Sequence, residues 1–251
     1  MRQMKYLKKY KIFESYNRFG TKTLTEVEFD QIRKENCKNW TKVETELYRG
    51  MPDLGDYLYI DPLKGDFRSS IEDTNIHLDL LSNLPSWKDY PKYERCVIGG
   101  STGAVGSYGD AIYEVIPFDD VRIAVCPTAT IWESFGNDDD EFGGDINLVD
   151  GFLYIYPIVS APGETLGKIV EIPHIDGYPG VNEFLMRHAE FSSKRPDEIT
   201  GEDCYNFINN SLFNPKVRGF QLLNYDKDFK IENKRQFWTE GPCLLIKGKL
   251  A

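Results

Sequence analysis

Three short stretches of this 251-residue chain carry side chains that could bind and act on a phosphate-bearing ligand. In chain order they are Glu46–Gly50, Ser101–Thr102 and Trp238–Ile246. Arg49 ends an amphipathic strand, where its guanidinium offers a planar, permanently charged fork that suits a phosphate. Ser101 follows an apolar strand, and the glycines around both residues allow a ligand to approach the backbone closely. Glu240 lies just before the last apolar strand.

The order of these residues resembles the arginine–serine–glutamate arrangement of ADP-ribosyltransferases. In that family an arginine on the first core strand, a Ser-Thr-Ser-like strand and a late glutamate meet in one cleft and bind NAD. The resemblance covers residues 43 to 246 as three short islands. It implies an ADP-ribosyltransferase-like α+β fold with mixed or antiparallel central sheets and flanking helices, and an enzyme that uses NAD as its substrate.

The resemblance also implies a role for each residue. Arg49 would hold a phosphate of NAD, and Ser101 would shape the nicotinamide pocket. Cleavage of the nicotinamide–ribose bond builds positive charge on the sugar, which Glu240 would stabilise. The expected catalytic residues are Arg49, Ser101 and Glu240. The expected NAD-binding residues are Tyr48, Arg49, Gly50, Arg68, Ser101, Thr102, Tyr108 and Trp238. No metal site is expected.

Two positions depart from the family pattern. Gly103 stands where a second serine would complete Ser-Thr-Ser. Trp238 stands two residues before Glu240, where arginine-specific members place a second Glu or Gln. The resemblance therefore favours an acceptor other than arginine, on an unknown protein or nucleic acid, or simple hydrolysis of NAD.

The elements that must position these residues show no regular alternation of strand and helix, which favours α+β over a doubly wound parallel sheet. Thr25-x-x-Glu28 is a capping-box pattern that predicts a helix to about Cys37. Period-two alternation predicts a strand over Lys42–Arg49. Further strands are predicted at Tyr57–Ile60, Arg95–Gly99, Ala111–Ile116, Val121–Val125, Phe152–Ile158, Arg218–Leu223 and Cys243–Ile246. Further helices are predicted at Ile76–Leu84, Val181–Phe191 and Pro196–Asn209.

Charge is distributed unevenly along the chain. The formal net charge is −10, which disfavours a protein whose main task is to coat nucleic acid. Residues 1–50 nevertheless hold 12 lysines and arginines against 7 acids, whereas residues 133–150 hold seven acids and no base. We expect 1–42 to be a basic helical segment, 43–251 to be an α+β catalytic-type domain with an insert at about 61–95, and 133–150 to be a solvated loop.

The five cysteines are scattered and form no CxxC pair, which predicts reduced thiols in a cytoplasmic protein. If the protein is viral, the cytoplasm is that of the host. No apolar run approaches the roughly 20 residues that a membrane-spanning helix needs, so we expect no membrane association.

Two other functions stay open. Phe67–Asn75 and Pro85–Arg95 are similar to segments of uncharacterised proteins of phages and large viruses, which fits a non-catalytic protein that binds a host partner. The acidic stretch 133–150 could then imitate nucleic acid toward a basic partner. Alternatively, the basic residues 1–50 could dock a nucleic-acid strand for a base-cleaving glycosylase.

Overall fold

The computed structural model describes residues 20–65, 81–101, 109–131, 133–135, 191–195 and 198–248. The chain divides into two compact units. The described residues of the first unit are 20–65, 90–101, 109–129 and 220–248. Those of the second unit are 81–89, 130–131, 133–135, 191–195 and 198–219. The predicted boundary at residues 42 and 43 and the predicted insert at about 61–95 stay predictions.

All nine strands of the described residues belong to one antiparallel sheet in the first unit. They are β1 (Thr21–Thr23), β2 (Leu47–Met51), β3 (Tyr57–Ile60), β4 (Val97–Ser101), β5 (Ala111–Pro117), β6 (Arg122–Val125), β7 (Gln221–Asn224), β8 (Gln236–Thr239) and β9 (Cys243–Lys247). Their order across the sheet is β1-β3-β9-β5-β2-β4-β8-β6-β7. The predicted α+β class with an antiparallel sheet is confirmed.

The sheet has one face on the main core and one face against a helix. We call the first of these the core face. It carries a continuous apolar cluster, to which residues that follow β7 also contribute. Its members on the sheet include Leu47, Met51, Leu58, Val97, Tyr113, Val115, Phe237 and Leu245, and those after β7 are Tyr225, Phe229 and Ile231. Helix α1 (Glu26–Asn36) packs on the other, helix face, where the Phe29 ring centroid lies 4.9 Å from that of Tyr57.

Helix α1 begins as the sequence predicted. The Thr25 hydroxyl accepts from the Glu28 backbone N–H at 3.3 Å, and the Thr25 N–H donates to Glu28 Oε2 at 2.8 Å. This reciprocal capping box satisfies two backbone donors that the first turn would otherwise leave unpaired. The acidic side chain of Glu28 also sits favourably at the positive end of the helix dipole.

Removing this cap should destabilise the first unit. We expect Thr25→Ala to lower the free energy of unfolding by about 1 kcal/mol, because it removes the side-chain acceptor of the Glu28 N–H. Thr25→Ser keeps an acceptor and should restore most of that loss. Urea unfolding followed by circular dichroism measures both variants. Equal stability of Thr25→Ala and wild type would contradict this role of the cap.

The second unit is described through a short helical region and an aromatic cluster. Helix α2 (Gly201–Phe207) continues directly into a π-helical turn at Ile208–Leu212, so the predicted helix over Pro196–Asn209 is wrong at both ends. The Trp87 indole N–H donates to the Phe213 carbonyl at 2.6 Å. The ring centroids of Phe135 and Phe213 lie 5.1 Å apart, in an edge-to-face arrangement.

Several strand predictions need correction. The strand predicted over Lys42–Arg49 begins only at Leu47, because the N–H groups of Lys42 and Val43 both donate to Asn39 O in a turn. The strand predicted over Arg218–Leu223 corresponds to β7, which begins only at Gln221, because Arg218 and Gly219 belong to a turn. The sequence did not predict β1 or β8, which have three and four residues and show no clear alternation.

Other predictions fall outside the described residues. These are the strand Phe152–Ile158, nearly all of the helix Val181–Phe191 and of the acidic loop 133–150, and the first part of the helix Ile76–Leu84. Among the helices that the structure describes, none has the length and apolar character that crossing a membrane requires.

Candidate functional site

The three strands that carry or adjoin the predicted catalytic residues are direct neighbours in the sheet. β2 pairs with β4, and β4 pairs with β8. Tyr48 of β2 lies opposite Gly100 of β4, which lies opposite Gln236 of β8. Residues 49 and 240 are 191 positions apart in the sequence, so this adjacency is a product of the fold.

Arg49 lies on the core face of β2, between the buried side chains of Leu47 and Met51. Arg49 is only 8% exposed to solvent, and its Nη1 donates to the backbone carbonyl of Ile98 on β4 at 3.2 Å. Burial raises the pKa of the Cys243 thiol on β9, and the positive charge of the Arg49 guanidinium opposes that rise. Arg49 is therefore a buried cation whose side chain connects β2 to β4.

Ser101 is fully buried at the end of β4. Its hydroxyl donates to Glu232 O at 2.7 Å and accepts from the Arg235 N–H at 3.0 Å. The backbone N–H of Ser101 also donates to Arg235 O at 2.9 Å. Since the hydroxyl is engaged on both sides by the turn before β8, the expectation that Ser101 shapes a ligand pocket is corrected: the residue holds this turn against β4.

Ser101→Ala should therefore reduce stability. It removes both hydrogen bonds of a buried hydroxyl, and we expect the free energy of unfolding to fall by about 1–3 kcal/mol. Thr41→Ala, which removes an exposed hydroxyl, serves as the control and should change little. Urea unfolding of the three proteins measures the difference. A Ser101→Ala protein as stable as the control would rule out this structural role.

Trp238 is fully buried on the helix face of β8. Its indole N–H donates to Pro91 O at 2.9 Å, and its ring lies edge-on to Tyr93 at 5.6 Å between centroids. Phe220 contacts the same ring at 6.0 Å. Trp238 is among the residues expected to bind NAD, but the structure covers its ring with protein. Its contacts fix the segment that leads to Arg95.

Glu240 is the first residue after β8, and its side chain is 30% exposed. Arg95, 37% exposed, places Nη2 at 3.5 Å from Glu240 Oε1. The backbone beside Glu240 is fixed, since the Thr239 hydroxyl donates to Arg122 O at 2.7 Å and accepts from the Gly241 N–H at 3.0 Å. Of the three predicted catalytic residues, Glu240 is the one that a ligand can reach directly.

The structure does not place Arg49 beside Glu240. Continuing the strand register aligns Arg49 with Gly99 and Phe237, three residues before Glu240. Two strand spacings and three residues of rise put the Cα atoms of Arg49 and Glu240 about 14 Å apart. The cation next to Glu240 is Arg95.

Besides Tyr48, four other residues are expected to bind NAD, and the structure describes one of them, Gly50. Gly50 lies opposite Ile112 of β5. Arg68, Thr102 and Tyr108 lie outside the described residues.

Tyr48 belongs to a second group of polar side chains, on the helix face. Its hydroxyl donates to Glu46 Oε2 at 2.5 Å, and its cross-strand partner is Glu114 of β5. The Trp40 indole N–H donates to Glu114 Oε1 at 2.6 Å. The hydrogen bond to Glu46, together with burial, raises the pKa of Tyr48 to about 12. Burial raises the pKa of Glu114, the Trp40 bond opposes the rise, and the charge of Glu46 adds to it.

Glu114 should make stability depend on pH. Its pKa is higher in the folded than in the unfolded chain, so the folded state binds more protons between these two values. The contribution of Glu114 to stability is therefore present below the unfolded value, near 4.5, and is lost as the pH rises through the folded value.

We expect Glu114→Gln to gain stability relative to wild type when the pH is raised from 4 to 7. The amide oxygen can still accept from Trp40, while the burial of a charge no longer opposes folding. Urea unfolding at both pH values tests this, with Glu35→Gln on the exposed side of α1 as the control. A difference from wild type that does not change with pH would contradict it.

Metal and thiol chemistry receive no support from the described residues. Within those residues, no group of three or more His, Cys, Asp or Glu side chains could hold a metal ion. Cys37 and Cys243 are free thiols in the core, and burial raises the pKa of Cys37 to about 12. A thiol that stays protonated at neutral pH is a poor nucleophile.

Comparison of the chain with family models, with curated proteins and with solved structures finds no match.

Proposed function

We propose that the chain is an ADP-ribosyltransferase-like enzyme that cleaves the N-glycosidic bond between nicotinamide and ribose in NAD. The observation that carries this proposal is the adjacency of β2, β4 and β8, which follow one another in the order of the arginine, serine and glutamate pattern. Three segments far apart in the chain thereby share one region of the sheet, in which Arg49 and Ser101 are buried and Glu240 is partly exposed.

We assign the chemistry to Glu240. As the bond between the anomeric carbon and nicotinamide breaks, its electrons leave with nicotinamide and positive charge develops on the ribose. A carboxylate beside that carbon stabilises the charge. Water or an acceptor group on a protein or nucleic acid then forms the new bond to the ribose and releases its proton. Arg49 and Ser101 stabilise the strands beneath this reaction through the contacts described above.

The support for Glu240 is its exposure and its fixed backbone. Thr239 and Gly241 hold the chain on either side through a shared hydroxyl hydrogen bond, and a Cβ at Gly241 would lie 2.5 Å from Val121 Cγ1. These contacts restrain the backbone that carries the carboxylate, and a positioned charge favours electrostatic stabilisation of a transition state. We place the activity in the cytoplasm, that of the host if the protein is viral.

Release of nicotinamide from NAD tests the proposal. We expect wild type to release nicotinamide, measured by chromatography, and Glu240→Ala to reduce the rate by about 100-fold or more. Glu232→Ala is the matched control, because Glu232 is an acid that pairs with an arginine at the other end of β8 and its side chain is 76% exposed. It should retain the wild-type rate.

Two outcomes would oppose the proposal. Folded wild type that releases no nicotinamide, with or without cell extract as a source of acceptors, would overturn the enzymatic function. Equal rates of wild type and Glu240→Ala would overturn the role of Glu240. Thermal unfolding of each variant shows whether the fold is intact.

A further inference from the structure

We propose that Thr239 is a positioning residue for the reaction, whose hydroxyl sets the place of the Glu240 carboxylate relative to the ribose. This inference rests on the proposed function and adds a requirement to it, since the rate of the chemical step then depends on a hydroxyl that does not touch the substrate. Thr239 is fully buried and is the last residue of β8, directly before Glu240.

The Thr239 hydroxyl connects the end of β8 to β6. β6 pairs with the two residues of β8 that precede Thr239. The next contact between the two strands is made by the Thr239 side chain, since its hydroxyl donates to the carbonyl of Arg122, the first residue of β6, at 2.7 Å. The same hydroxyl accepts from the Gly241 N–H at 3.0 Å. One buried group therefore restrains the residues on both sides of Glu240.

The turn after Glu240 is held by the connection between β5 and β6. A Cβ at Gly241 would lie 2.5 Å from Val121 Cγ1, so any larger residue would require Val121 to move. The carbonyl of Pro242 accepts from the Phe118 N–H at 3.1 Å. Glu240 therefore lies between two restrained points of the backbone, and the hydroxyl at the end of β8 is the first of them.

The position of the carboxylate should affect the chemical step more than binding. A carboxylate stabilises the charge that develops on the ribose when it is already placed beside the anomeric carbon. A displacement of about 1 Å can cost about 100-fold in rate. Without the Thr239 hydroxyl, the Gly241 N–H and the Arg122 carbonyl lose this shared partner, and the end of β8 can move. The expected defect is therefore in kcat and not in KM.

Valine at position 239 tests this, because it keeps the shape of the side chain and removes the hydroxyl. We expect Thr239→Val to lower kcat for nicotinamide release from NAD by about 10- to 100-fold and to change KM by less than about 2-fold. Thr239→Ser keeps the hydroxyl and should restore most of the rate. Thr45→Val is the matched control, because it removes a hydroxyl that accepts from the Ile231 N–H at 3.3 Å, and it should keep the wild-type kcat.

A double variant shows whether Thr239 acts through Glu240. Adding Thr239→Val to Glu240→Ala should lower the residual rate no further, because the carboxylate to be positioned is gone. A further loss of about 10-fold in the double variant would contradict the inference. Amide hydrogen exchange measured by NMR gives a readout besides activity. The Gly241 amide should exchange about 10-fold faster in Thr239→Val than in wild type or Thr239→Ser.

The outcomes distinguish this inference from the proposed function. If Thr239→Val keeps the wild-type kcat, loses no more than Thr45→Val, or leaves exchange of the Gly241 amide unchanged, the inference is wrong while the proposed function stands. If wild type itself releases no nicotinamide, the proposed function fails and the inference fails with it. Thermal unfolding shows whether each variant is folded at the assay temperature, and Thr239→Ala replaces Thr239→Val, with the same expectations, if the latter is not.

Discussion

The register of β4 against β8 is the constraint on which the site depends. Side chains alternate between the faces of a strand, so a shift of one residue would move Trp238 to the core face and Phe237 away from it. Ser101 fixes the register at one end through the turn before β8. At Gly99 a Cβ would lie 2.3 Å from Tyr48 O and 2.7 Å from the Phe237 ring, so this position requires glycine for β2, β4 and β8 to approach.

A second constraint is the burial of charge within the sheet. Arg49 lies among apolar side chains on the core face, and such a cation is stable only when polar groups accept from it. The carbonyl of Ile98 is one acceptor. Glu114 lies on the opposite face, and its carboxylate accepts a hydrogen bond from the indole N–H of Trp40. Arg49 on the core face and Glu114 on the helix face thus each have a hydrogen-bond partner of their own.

The sequence predicted features that depend on local chemistry. The capping box before α1 and most strands follow from short patterns, since neighbouring residues determine them. β8 was missed because Gln236–Thr239 has two apolar residues together, one for each face of a strand buried on both sides. The proximity of the three motif strands was predicted through the resemblance, but the face on which each side chain lies depends on the register, which the sequence does not reveal.

The contacts of Arg95 and Glu240 were beyond prediction for the same reason. These residues are 145 positions apart, and their approach requires Trp238 to hold Pro91 and Tyr93 on the helix face of β8. The pair formed by Arg235 and Glu232, by contrast, joins residues three apart, which a single turn brings together.

This contrast bears on function. A local ion pair forms wherever the turn allows, and its position carries little information about a ligand. A pair assembled from two distant segments, each fixed by buried aromatic rings or hydroxyl hydrogen bonds, forms only because the fold brings those segments together. Since water screens its mutual attraction, stability gives a weak reason for holding such a pair so firmly. The role that we propose for the Glu240 carboxylate gives a stronger reason.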